Sequence, residues 1–337
     1  MKLRVTYYQR LPEDAYYSIE RVFADVNQAL PEGIDVKVAV SRFHSRGLWR
    51  RIYNMIEAVF RQGDVNHITG DVHFLACFLR GKKTLLTIHD LVTVHRYKGL
   101  RRAIILFFWY WLPIKRVAVV SVISESTKKD LLRHIKVDLR KVKLVHNPVS
   151  DDFQPFAREF NAAKPVILQI GTGSNKNVER VAQAIQGIPC HLRVIGKLDE
   201  DQLAVLRQCG VEYSSVSNVS DAQVVDEYRQ CDMLVFASTY EGFGLPIVEA
   251  QATGRPVVTS NILSMPEVGG DAACLVDPFN VAGIREGIMK IINNSVYRNE
   301  LVWRGFKNVE RFRSEKIARD YVDIYRFLME EHRTQHM

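Results

Sequence analysis

Short runs of Val, Ile and Leu, mostly without polar alternation, recur along this chain, and they limit its fold more than any other feature. "LRVTYY", "DVKVAV", "VNHIT", "KTLLTI" and "VAVVSVI" lie in the first half, and "PVILQI", "CHLRVI", "DMLVFA" and "RPVVTS" in the second. Strands of this kind are apolar on both faces, so both faces must be covered. Between them lie segments of helical period, such as residues 177–186, 221–230 and 283–293. Strand–helix alternation of this sort builds parallel sheets with helical crossovers. Two such series, in 337 residues, predict an α/β chain of two doubly wound domains. A loop-like stretch, "NPVSDDFQPF" at 147–156, follows a strand-like "KVKLVH" and marks the boundary. The domains are accordingly expected at 1–152 and 153–315.

Composition narrows the class. A hydrophobic content of 47% with 25% charged residues is that of a globular chain with a sizeable core. The cysteines (Cys77, Cys190, Cys209, Cys231 and Cys274) are odd in number and nowhere spaced C-x-x-C. That opposes a disulfide framework or a zinc site and favours a reducing, cytoplasmic setting. The start, "MKLRVTYYQR", carries charge where a signal peptide needs an apolar run. Residues 1–150 hold 26 Lys and Arg against 13 acids, a net +13; residues 151–337 hold 20 against 25, a net −5. The basic half suits an anionic membrane or a phosphorylated substrate. Without a zinc-finger, RNA-recognition or basic-helix pattern, no nucleic-acid partner is expected.

The chemistry concentrates at "STYEGFGLPIVEA", residues 238–250. A strand, "DMLVFAS", precedes it and a helix, "LPIVEAQAT", follows. The turn carries Gly242, Phe243 and Gly244, and the glycines let a ligand approach the backbone. Amides at the helix start, beginning at Leu245, favour an anion by roughly 0.3–1 kcal/mol when exposed. Glu249, about one turn into the helix, suits a vicinal diol, as acidic residues do with ribose. Glu241 suits hydroxyls of a second sugar or developing positive charge. The set fits a nucleoside diphosphate sugar; a capped helix with two solvated glutamates is the plainer alternative.

With seven residues between Glu241 and Glu249, the pair resembles the paired-glutamate motif of retaining glycosyltransferases of the GT-B fold, family 4. "YRQCDMLVFASTYEGFGLPIVEAQATGRPVVTSNILSMPEVGGDAACLVDP", residues 228–278, resembles that family's donor domain nearly throughout. The resemblance implies two facing Rossmann-like domains around a deep cleft, with a helix at 316–332 packing back on the first. It implies donor binding in the second domain and acceptor binding in the first.

A second element, "LQIGTGSNKNVERVAQAI", has Gly171, Thr172 and Gly173 after a strand, then Lys176 and Asn177 at a helix start. It is neither a Walker loop nor a dinucleotide fingerprint. A glycine turn, a helix start and one ammonium suit a leaving diphosphate, and in similar enzymes this lysine contacts the donor phosphates. Relatives often carry arginine directly after the glycine, where this chain has Thr172; Lys197 is a substitute cation. The resemblance also places His89, in "LLTIHDLV", near donor sugar and acceptor, as a donor to a sugar hydroxyl. Relatives have a paired-glycine loop after the first strand. Here "YYQRLPEDAYYSIERVF" has none, which leaves Arg10 as a candidate for the phosphates. A histidine-rich "HITGDVH" at 67–73 has no trusted metal-ligand spacing and reads as structural.

Lys176, Glu241 and His89 are thus the expected catalytic residues. Gly171, Thr172, Asn177, Gly242, Phe243, Gly244, Leu245 and Glu249 are the expected donor contacts. No metal or cofactor is expected: the one Asp-x-Asp spacing, 199–201, reads as a helix cap. The reaction implied is transfer of a hexose from GDP-mannose or a UDP-sugar to a glycan or lipid-linked acceptor in cell-surface polysaccharide synthesis. Rival readings are an epimerase or phosphorylase on the same fold, or a non-catalytic sugar- or membrane-binding protein. An apolar run at 103–114, "AIILFFWYWLPI", flanked by Arg101, Arg102, Lys115 and Arg116, is too short to span a bilayer. Its Trp and Tyr suit an anionic membrane surface, at the inner face of the cytoplasmic membrane, or a buried helix.

Overall fold

The computed structural model describes residues 2–12 and 18–334. Residues 1, 13–17 and 335–337 lie outside it. The chain divides into two compact units, one of residues 1–148 with 314–337, the other of residues 149–313.

The first unit holds six parallel strands: β1 (Leu3–Gln9), β2 (Ile34–Val40), β3 (Val65–Ile68), β4 (Thr84–Ile88), β5 (Val119–Val122) and β6 (Val142–Leu144), in the order β2-β1-β3-β4-β5-β6. Leu86, Ile88, Val120 and Val122 are fully buried, as strands covered on both faces must be. Edge strand β2 departs from this and has exposed positions. Order reverses between β1 and β3, which makes their carboxyl ends the switch point of this sheet.

The last helix, Ser314–Thr334, belongs to this unit. A buried polar chain ties it there. The Tyr325 hydroxyl donates to Tyr7 Oη (3.1 Å) and lies 2.8 Å from His67 Nδ1. Nδ1 therefore carries the imidazole proton, and Nε2 accepts from Thr87 Oγ1 at 2.7 Å. Ser121 Oγ is 2.6 Å from Thr87 Oγ1 and completes the row. His67 is thus a neutral core histidine. His73 is likewise buried, with Nδ1 2.9 Å from the Trp109 carbonyl.

The second unit holds β7 (Val166–Ile170), β8 (His191–Ile195), β9 (Tyr213–Val216), β10 (Met233–Phe236), β11 (Val257–Ser260) and β12 (Cys274–Val276), ordered β12-β11-β10-β7-β8-β9 and all parallel. Helices Val178–Ile185 and Val281–Asn293 press Val181, Ala182, Ile185, Ile284, Ile288 and Ile291 onto Ile167, Val194, Val235 and Val258. Asp232, fully enclosed before β10, accepts from Val166 N at 2.7 Å and pairs with Arg158 at 3.2 Å. It pins the starts of two central strands. The order reverses between β7 and β10, so their carboxyl ends form this unit's switch point.

Burial pushes His67 well below the usual imidazole range and His89 down to about 4. The unfolded chain binds these protons near pH 6.5, whereas the folded chain refuses them until more acidic pH. This contribution is whole above about pH 6.5 and is lost as pH falls toward 4, each histidine adding up to about 1.4 kcal/mol per pH unit to the slope. Denaturant titrations across that window should show stability falling with acid, and a shallower slope in His89→Asn. An unchanged slope in the variant would remove His89 from the account.

Candidate active site

At the β7–β10 switch point two loops meet. After β7 the chain turns at Gly171 and makes a short 3-10 turn, Ser174–Lys176, before Asn177 starts helix Val178–Ile185. After β10 it passes through residues 237–244 into helix Leu245–Ala252. Lys176 Nζ donates to Glu241 Oε1 at 2.6 Å and lies 4.7 Å from the centre of the Phe236 ring. Both side chains are largely shielded, 21% and 14% exposed. Partial burial strengthens the attraction between the two charges and adds the cost of desolvating them, so removing one partner leaves the other poorly solvated.

Gly171 has a reason distinct from the one its loop suggests. Its φ is +84°, and a Cβ there would stand 2.9 Å from Lys176 Cε and 3.1 Å from Cγ. The glycine makes room for the lysine stem. Asn175 braces the opposite loop: Nδ2 donates to the Tyr240 carbonyl (2.9 Å) and to Glu241 Oε1 (3.3 Å), and its carbonyl accepts from Thr239 N (2.8 Å). Ser264 Oγ shares its one proton between the carbonyls of Phe243 (2.7 Å) and Glu241 (3.0 Å). Asn175 and Ser264 escaped the sequence reading; an Asn just before the lysine was the only available signal.

Several expected donor contacts have other work. Asn177 is buried in the left-handed conformation (φ 61°), and Nδ2 donates to the carbonyls of Ala237 (2.8 Å) and Pro278 (2.7 Å). With both amide hydrogens spent, it ties three strand ends together. Thr172 Oγ1 donates to the Lys197 carbonyl at 2.7 Å, so its hydroxyl proton holds the β8 loop. Phe243 is buried edge-on against Phe312 and shapes the turn from beneath. Asp199 forms a capping box with Gln202, accepting from its backbone N at 2.9 Å, which is the helix-cap role read from 199–201.

The remaining expected contacts stay at the site. Gly244, with φ +110°, caps helix Leu245–Ala252 without a side-chain bond. Pro246 at the second helical position has no N–H, and Ile247 N already bonds the Gly244 carbonyl. The helix start therefore offers the amides of Gly244 and Leu245 rather than a full turn of donors. Glu249 Oε2 accepts from Tyr228 Oη at 2.7 Å, which orients the carboxylate from one side.

His89 and Arg10 lie in the other unit. His89 Nε2 donates to the Thr69 carbonyl at 2.8 Å. In the neutral ring that burial enforces, Nδ1 is then an acceptor. The expected donor is thus an acceptor toward any sugar hydroxyl. Arg10 Nε is paired with Glu20 Oε1 at 3.0 Å, and the loop beyond it falls on the residues outside the described set.

Two family models match successive parts of the chain. "Glycosyltransferase Family 4" covers residues 14–153 and "Glycosyl transferases group 1" covers residues 150–308. The chain belongs to the group 1, family 4 glycosyltransferases. This glycosyltransferase is 28% identical to O-antigen chain mannosyltransferase B of Escherichia coli, over 62% of its own length and 61% of that relative. It is 24% identical to the serotype-specific mannosyltransferase WbdA of Escherichia coli, over 65% of its own length. That match spans only 30% of the larger relative. Among solved structures it resembles sucrose-phosphate synthase from Thermosynechococcus elongatus (TM-score 0.78, 16% identity, 98% and 100% of the two chains). It also resembles Anabaena HepE in complex with UDP and glucose (TM-score 0.76, 14% identity, 96% and 99%). The fold is therefore GT-B.

Gly171→Ala should test the seat. The added methyl and the positive φ together displace the Lys176 stem, at about 1–2 kcal/mol of stability. Transferase turnover should fall tenfold or more while the unfolding midpoint moves only a few degrees; a fully active variant would show that the stem needs no such room.

Proposed function

We propose that this glycosyltransferase moves a hexose from a nucleoside diphosphate sugar to a glycan or lipid-linked acceptor, with retention at the anomeric carbon and without a metal. The observation that carries this reading is the shielded Lys176–Glu241 pair at the β7–β10 switch point. The bond from the anomeric carbon to the diphosphate oxygen breaks as the acceptor oxygen bonds that carbon. Lys176 neutralises the charge gathering on the leaving diphosphate, helped by the Gly244 and Leu245 amides. An enclosed donor of this kind contributes on the order of 3 kcal/mol to the transition state. Glu241 holds the ammonium in place and faces the cationic side of the sugar. Glu249, oriented by Tyr228, takes the ribose diol. A leaving phosphate oxygen receives the acceptor proton in a front-side displacement. Lys176 does the work that a cation would do elsewhere, and the only Asp-x-Asp spacing is spent on a helix cap.

The matches to Escherichia coli mannosyltransferases favour mannose, and "O-antigen" in the name of one favours a cell-surface polysaccharide. Acceptor chemistry is supported by the surface of the first unit. Helix Leu48–Val59 and the helical stretch from Gly99 to Trp111 meet where Arg51 stacks 4.4 Å over Trp109. Leu100, Trp49 and Phe60 are exposed (77%, 80% and 84%), as are Phe107 and Phe108, whereas Tyr110 and Ile114 are buried. The run at 103–114 thus turns one face into the core and one outward. No described helix is long and apolar enough to cross a membrane. Exposed aromatics on the segments that also carry the exposed Arg50, Arg101, Lys115 and Arg116 fit the cytoplasmic, anionic face of a bilayer carrying the acceptor, with each basic residue contributing about 1 kcal/mol.

Thermal-shift screening should show stabilisation by GDP-mannose or a UDP-sugar, growing as RT ln(1 + [L]/Kd). Lys176→Ala should lower turnover roughly tenfold or more at unchanged fold. Product NMR should show the donor's anomeric configuration preserved. No stabilisation by any sugar nucleotide, or inverted product, would end this reading. Separately, the wild type should sediment with anionic vesicles, and Trp49→Ala with Phe60→Ala should not; equal sedimentation would remove the membrane contact alone.

A further inference from the structure

The first unit carries a cluster of side chains that has no part in the proposed transfer. His95 sits on the short helix Val92–Arg96 after β4. Asp130 and His134 lie one turn apart on helix Glu125–His134 after β5, so both project from one face. His95 Nε2 is 2.6 Å from Asp130 Oδ2, and His134 Nε2 is 3.5 Å from Asp130 Oδ1. One ligand atom from each of the three lies within 4.8 Å of the others. The imidazole rings stand 5.6 Å apart, inclined at 62°.

We propose that His95, Asp130 and His134 bind a divalent transition-metal ion of the zinc class. Two imidazole nitrogens and one carboxylate oxygen are a donor set that zinc takes, leaving a fourth position for water. Bonds of about 2.0–2.2 Å in a tetrahedron put ligand atoms about 3.3 Å apart. His95 Nε2 now meets one carboxylate oxygen at 2.6 Å and His134 Nε2 the other at 3.5 Å, with all three ligand atoms within 4.8 Å, so a turn of the Asp130 carboxylate brings one oxygen toward both imidazoles. The ion takes the place of the hydrogen between His95 Nε2 and Asp130 Oδ2. His95 is 41% exposed and opens an entry route, while Asp130 and His134 are mostly covered (14% and 17% exposed).

Arg102 sets the limit on affinity. Its Nη2 is 3.3 Å from His134 Nδ1 and 3.5 Å from Nε2. Arg102 Nη2 points hydrogens at both ring nitrogens, so an ion on Nε2 displaces it from that one and leaves it Nδ1 as acceptor. Its charge nevertheless repels an ion held there, as does that of Arg133 beside it. A bound ion would tie the segment following His89 and Asp90 to the helix after β5. The Thr127 hydroxyl, which donates to the His89 carbonyl at 3.4 Å, already joins the same two segments.

The test is calorimetric titration of Zn2+ into the full-length, metal-free protein. One ion per chain should bind, with affinity lowered at least tenfold in His95→Ala and in His134→Ala, and raised in Arg102→Ala. Affinity should also fall with acid, because the imidazoles must be neutral to ligate. His95 is exposed enough that its removal spares the packing, so loss of binding in that variant is not loss of fold. Substitution with Co2+ should give ligand-field bands without a thiolate charge-transfer band. Absence of one-to-one binding, equal affinity in His95→Ala, or a thiolate band from Cys77 would each overturn the proposal. Sugar-nucleotide stabilisation serves as a separate readout, so failure here leaves the glycosyl-transfer reading intact.

Discussion

Burial of parallel strands on both faces governs everything else in this molecule. Strands such as Thr84–Ile88 and Met233–Phe236 have no solvated face on which chemistry could sit. Reactive groups are therefore pushed to strand ends, and parallel order gathers those ends on one edge. Where the crossovers change direction, neighbouring loops diverge and leave room. In the second unit that room lies beyond β7 and β10, and it is there that Lys176 and Glu241 meet.

The ion pair is held by parts that never touch it through charge. Gly171 contributes only the absence of a methyl group. Asn177, in a left-handed conformation that asparagine tolerates better than most residues, contributes two hydrogen bonds that fix the distance between strand ends. Ser264, from a third loop, holds the Glu241 turn by its carbonyls. Breaking any of these braces moves the ammonium or the carboxylate without removing either.

Much of this was legible in the residues, for physical reasons. Runs such as "VILQI" and "MLVF" announce central strands because no other state covers both faces. Edge strands β9, "YSSV", and β12, "CLV", are short or polar and gave no such signal. Spacing and resemblance pointed to Lys176 and Glu241, and the side chains do converge. Asn177, next to the lysine, and Thr172, in the glycine turn four residues before it, were assigned to the ligand. Adjacency in sequence says nothing about which way a side chain points, and both point into neighbouring loops. His89 was expected to donate, but the Thr69 carbonyl takes its one proton. That partner lies 20 residues away, beyond the reach of local pattern.

The His67–Tyr325–Tyr7 row reaches from the first strand to the last helix, across a separation of 318 residues. As the ribosome releases the chain from its N-terminus, the first sheet must wait with a buried imidazole half-partnered until the entire second unit has emerged. The second unit, continuous in sequence, meets no such delay. Order of synthesis and order of completion are therefore opposite: the part made first is finished last, and nascent β1 to β6 present an apolar face that needs shelter in the interval.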